Sequence, residues 1–194
     1  WASGRGSSEI RADLLRLERR DFWDPGLGLG LLRGDLFREK ITRDLGCACF
    51  EECRAKLSIV VHDVLTHRPR VVESGSIAEA VHASCAVPLL FRPVWHGRRP
   101  WIDGGVSDRA AQTSLQPDLR TLYHHIASRS PWRRSGSPAL KPLRRADLSA
   151  LIVGGLPRVG PFKLGRGAQA LKRAEEATTQ ALDLPWQPLV EISN

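Results

Sequence analysis

Ile59, Val60 and Val61 stand in an unbroken row inside the run KLSIVVHDVL, residues 56–65. Three consecutive β-branched residues leave a strand no polar face, so it reads as a buried strand rather than a half-wet one. The segments around it alternate in type. A helix is expected from Ser7 or Ser8, either of which can cap it, to about Arg20, with Ile10, Leu14 and Leu17 on one side. A second helix follows Asp35, with Leu36, Phe37, Ile41 and Leu45 apolar, and Gly46 ends it. RVVES is a second strand after a turn at His67–Pro69. SIAEAVHASCA is a helix capped by Ser76 and stopped by Pro88.

RRPWID and LRTLYHHIAS read as further strands, LSALIVGGLP as the last strand, and residues 165–185 as a closing helix. Leu171, Ala174, Ala177, Ala181 and Leu182 would face inward from that helix. Strands alternating with helices argue for an α/β chain with a mostly parallel sheet. At 194 residues and 42% hydrophobic content it can build one domain with a sizeable core. Residues 130–145, rich in Pro, Ser, Gly and Arg, read as a mobile excursion.

The net charge of +8, mostly an Arg excess, suits anionic lipid headgroups or acidic substrates. No basic block is interleaved with aromatics, so nucleic acid is not expected. No apolar run approaches ~18 residues, so no membrane span is expected. The start, WASGRGSSEI, resembles neither a signal peptide nor a translation start, and the chain has no Met. The expectation is a sequence that begins inside a longer protein.

Cys47, Cys49 and Cys53 are spaced C-x-C-x3-C, which is not a zinc pattern. With Cys47 and Cys49 expected on different faces of a helix, buried or half-buried free thiols in a reducing, cytoplasmic setting are the expectation, for Cys85 as well. No metal and no cofactor is expected. The glycine run GLGLG fails as a dinucleotide loop. The third position of G-x-G-x-x-G is Leu31 or Arg33, and a helix rather than a strand precedes it. It reads as a turn packing Leu27, Leu29 and Leu31.

Nucleophiles are equally scarce. No serine has Gly at both −2 and +2, so there is no G-x-S-x-G elbow. His62 and His82 fall on core elements, His124 and His125 in a strand, and His96 in a turn. Asp103 remains. It ends the strand PWID and is followed by Gly104 and Gly105. A carboxylate at a strand end can act as general base for a hydroxyl, while the glycines permit a tight turn and close approach. The same Asp-Gly pair can equally be a turn closed by the aspartate on its own backbone.

Within residues 74–108 an A-S-x-A-x-P-x-x-F segment (Ala83, Ser84, Ala86, Pro88, Phe91) is followed by a short hairpin and a strand ending in D-G-G (Asp103, Gly104, Gly105). In that order and spacing the segment resembles bacterial patatin-like phospholipases. The resemblance extends through DFWDPGLGLGLLRG, LSIVVHDVLT and LIVGGLPRVGPFKLGRGAQAL. It implies a patatin-like three-layer fold with a mostly parallel central sheet flanked by helices. It also implies a Ser-Asp dyad that hydrolyses lipid acyl esters. The serine would attack the ester carbonyl, Asp103 would take its proton, and a glycine-rich loop would donate to the oxyanion.

The chain departs from that pattern. The first strand, the oxyanion loop and the elbow serine are expected ahead of ASGRGSSEI. Residues 1–194 thus read as a partial patatin-like domain carrying the Asp half of the dyad, inactive and poorly stable by itself. Ser84, inside a helix, is expected to cap or to make a small-residue contact. The expected partners are a lipid or acyl-ester substrate and, peripherally, an anionic membrane. The competing reading is a non-catalytic basic module that binds anionic lipid surfaces or a protein partner.

Overall fold

The computed structural model describes residues 1–116, 119–127, 147–184 and 189–193. The chain divides into two compact units, Trp1–Ser114 and Leu115–Asn194. Both mix strands with helices, and parallel pairing occurs in each, so the class is α/β.

In the first unit, helix α1 is Ser7–Leu15, strand β1 Gly30–Leu32, helix α2 Asp35–Asp44, β2 Ile59–Asp63 and β3 Arg68–Val72. Helix α3 is Ile77–Ser84, followed by β4 Leu89–Phe91, β5 Val94–His96 and β6 Arg99–Asp103. β1 and β4 form a parallel pair. The four-stranded sheet, in order β3-β2-β6-β5, is antiparallel at every pairing.

For β2–β3 and β5–β6 the reason is local. His67, at φ 52, turns β2 back into β3, and Gly97, at φ 59, turns β5 back into β6. Hairpins this short can only join antiparallel neighbours. The parallel character expected from the helix–strand alternation is therefore carried by β1–β4 here and by the second unit's sheet. The turn also begins earlier than the sequence suggested, so Arg68 and Pro69 already belong to β3.

β2 is buried as expected, with Val60, Val61, His62 and Asp63 all inside. Its floor is α3, which Ser76 caps by accepting the Glu79 N–H at 3.3 Å. Phe50, Ile77 and Ala80 form the cluster there, with Leu45, Cys47, Cys53, Leu57, Ile59, Val72 and Val81 around it. At the far end of β2 the buried Asp63 carboxylate accepts from the Leu65 and Thr66 amides and from Arg99 Nε at 2.5 Å. That one side chain closes the β2–β3 turn and ties it to β6. α1 is shorter than expected, ending at Leu15, and buries none of its residues.

The second unit is a parallel sheet in order β7-β8-β9, with β7 Thr121–Ile126, β8 Leu148–Gly154 and β9 Leu189–Ser193, and helix α4 Gly167–Asp183. LSALIVGG was expected to be the last strand, but β9 follows and pairs with it. Leu151 and Val153 of β8 pack on Ala177 and Ala181 of α4. Leu182 is 64% exposed rather than inward, because it lies ~100° around the helix from Ala181. The excursion expected at 130–145 lies outside the described residues.

Candidate functional site

The carbonyl of Val60, the second residue of β2, is where two separate sequence segments meet. Ser84, the last residue of α3, donates its hydroxyl to it at 2.9 Å. Gly104 lies against the same carbonyl. A Cβ added to Gly104 would stand 2.2 Å from Val60 O, so only glycine fits without a backbone shift. The close approach allowed by the first glycine of D-G-G is thus to the neighbouring strand. Ser84 is a helix-end contact, as its position in the helix suggested.

β6 reaches this point through its pairing with β2, which sets Asp103 opposite Val61 and Ile102 opposite His62. The Asp103 N–H donates to the Ala86 carbonyl at 3.0 Å. The A-S-x-A segment and D-G-G are therefore joined twice, at Ala86–Asp103 and through Val60. Ala83 and Ala86 are both fully buried beneath this junction, where a larger side chain would force the strands apart.

The Asp103 carboxylate, half-buried, accepts the Gly105 N–H at 2.7 Å and caps a 3-10 turn, Gly104–Val106. This is the turn-closing geometry that the sequence left open beside the catalytic one. It occupies Oδ1, and it fixes the carboxyl group at the end of β6. Gly105 serves through its amide.

Sequence reasoning missed the partner of Ser107. His62 Nδ1 and Ser107 Oγ share a hydrogen bond at 2.8 Å, tying the end of the D-G-G turn back to β2. His62 is buried, and its imidazole is held below its usual range, chiefly by burial and then by His67, against a smaller opposing pull from Asp63. Nothing in local spacing joins residues 45 positions apart; the strand register does. Cys85, expected to be buried or half-buried, is surface-exposed. Crowding of protein around its sulfur, and then the Asp103 carboxylate, nonetheless push its thiol up to about 11.

The other sequence candidates lie elsewhere. Cys47 and Cys49 follow α2 in a loop rather than lying on a helix, and Cys47 Sγ contacts Cys53 Sγ at 3.7 Å. Among the described residues no group of three or more His, Cys, Asp or Glu side chains is arranged to hold a metal ion. His96, the last residue of β5, pairs with Glu79 at 2.8 Å and stacks on Trp101. His82 is buried between Phe37 and Phe91 with no protein partner for either ring nitrogen. An open apolar groove of about 390 Å³ lies between α1 and α2, lined by Ile10, Leu14, Leu17, Ile41 and Leu45 among others, and includes no D-G-G residue. No helix among the described residues is long and apolar enough to cross a membrane.

Residues 1–113, more than half of the chain and nearly the whole of the first unit, match a family model described as Patatin-like phospholipase.

Proposed function

The chain belongs to the patatin-like phospholipase family, and on that premise we propose that it supplies the aspartate of a Ser-Asp dyad, Asp103, to a lipid acyl hydrolase. Asp103 is the general base in this reading, and Gly104 and Gly105 shape the turn that holds it. The supporting observation is the Asp103–Ala86 hydrogen bond at 3.0 Å, which joins the strand-end aspartate to the A-S-x-A segment beneath it. The Gly105 N–H on Asp103 Oδ1 holds the carboxyl group at the strand end, where a general base of this dyad would act.

No histidine and no metal enters the step. The serine hydroxyl would attack the ester carbonyl as Asp103 takes its proton, and the aspartic acid would return that proton to the leaving alcohol. Water would then release the acyl group by the same route. No serine of the 194 stands between glycines at −2 and +2, so in this reading the elbow serine comes from outside these residues. Ser84 is committed to Val60.

The test is hydrolysis of a short acyl ester by a gene product that contains residues 1–194 together with a G-x-S-x-G elbow. Asp103→Asn should lower kcat/KM by about 10²–10⁴-fold with an unchanged melting temperature. Full activity in that variant overturns the assignment. Residues 1–194 alone should give no turnover above buffer, and turnover would show that the nucleophile lies within them.

A further inference from the structure

Residues 25–32 form a tight projection. Pro25 bridges to Leu32, the Gly26 N–H donates to the Leu31 carbonyl at 3.1 Å, and the Arg33 N–H donates to the Asp24 carbonyl at 3.0 Å. Its base is clamped to the start of α2. The buried Asp24 carboxylate accepts the Gly34 N–H at 3.0 Å and the Leu36 N–H at 3.1 Å. β4 presses on its flank, where a Cβ on Gly30 would meet the Phe91 backbone at 2.3 Å.

This held loop does not pack its leucines, contrary to the sequence expectation. Leu27 is 97% exposed, Leu29 79% and Leu31 47%. Leu89, opposite Gly30 in the β1–β4 register, adds another apolar side chain at 69%. Single exposed leucines are ordinary; three on one braced loop, with a fourth on the strand beside it, make a contact surface. Its rim is cationic. The Arg92 guanidinium donates to the Leu27 carbonyl, and the Arg33 side chain lies against Gly26. The only acid between Phe22 and Gly34 is Asp24, which is turned inward onto amides.

From this geometry we infer that the loop Leu27–Leu31, with Leu89, docks the protein on an anionic lipid bilayer. The leucines enter the acyl boundary and Arg33 and Arg92 meet the lipid phosphates. The inference deepens the acyl-hydrolase reading by naming the surface that meets the lipid, and it rests on that reading for the choice of a bilayer over an acidic protein.

The experiment is co-sedimentation of the 194-residue chain with phosphatidylcholine–phosphatidylglycerol vesicles, against phosphatidylcholine alone. Binding is expected to the anionic vesicles. Leu27→Ser with Leu29→Ser should weaken it at least about ten-fold, because two inserted side chains are lost without any change of charge. Leu27→Trp with Leu29→Trp should bind at least as tightly as the parent chain, and Arg33→Gln should flatten the salt dependence. Both leucines are exposed, so the variants should keep the parent circular dichroism spectrum. Binding that the double serine variant leaves unchanged would be charge attraction by the whole surface and overturns the proposal, as does the absence of binding. The readout needs no turnover, so failure of ester hydrolysis leaves this result standing and the reverse.

Discussion

The Ser84 hydroxyl donates to the Val60 carbonyl at 2.9 Å, and Gly104 closes over the same carbonyl from the turn after β6. Helix end, central strand and the turn after Asp103 therefore share one backbone oxygen. Substitutions at this point separate the support of the site from its chemistry.

Ser84→Ala removes a half-buried hydrogen bond and leaves the carbonyl to find another donor. A stability loss of about 0.5–1.5 kcal/mol is expected. Urea unfolding would measure it as a lower midpoint at constant slope. A loss of ester hydrolysis in the elbow-containing protein far beyond that cost would give Ser84 a chemical role that this geometry does not.

Gly104→Ala must move either the turn or β2, because the new methyl stands 2.2 Å from Val60 O. The expected cost is about 1–3 kcal/mol, typical of forcing atoms into a packed region. Gly160→Ala, where an added Cβ meets nothing, is the control and should be nearly neutral. Equal melting temperatures for the two variants would show that Gly104 is not closely packed.

His82 is buried among aromatic rings, and both of its nitrogens lack a protein partner. Burial first, and then Arg38, hold its imidazole below the usual range. His62 is shifted the same way. When the folded value is lowered, the unfolded chain binds more protons, so this stability is present above about pH 6.5 and lost as the pH falls. His82→Leu should shed part of that acid sensitivity and gain roughly 1 kcal/mol at pH 7 by removing unsatisfied polar atoms. Parallel stability-versus-pH curves for the two proteins would contradict it.

Asp63 is also shifted downward. Its hydrogen bond from Arg99 holds the carboxyl below its usual range, with the Thr66 and Leu65 amides adding to the effect against burial. A lowered folded value places the stabilisation above the unfolded value of about 3.9 and removes it as the pH drops below that. Asp63→Asn should therefore be less stable than the parent at pH 7 and show a flatter profile below about pH 4. Unfolding midpoints measured from pH 3 to 7 decide it.

How far the sequence could be read depended on the range of the interaction. The row Ile59–Val61 announced a buried strand, and Ser76 announced the start of α3, because β-branching and side-chain capping act within a few residues. The D-G-G and A-S-x-A segments could be matched to a family for the same reason: their residue order is local.

Strand direction was only partly local. The turns at His67 and Gly97 make β2–β3 and β5–β6 antiparallel, but the β2–β6 pairing joins distant segments. The leucines of GLGLGLL looked like packing residues, since alternation cannot say whether a neighbour arrives to cover them. By itself, the sequence determined the buried strand, the capped helix and an aspartate poised at a strand end. Only the tertiary structure decided that Asp103 hangs from Ala86, that Ser107 meets His62, and that the leucine loop faces water. Each of those depends on a backbone group or side chain brought in from far along the chain, and local periodicity carries no record of it.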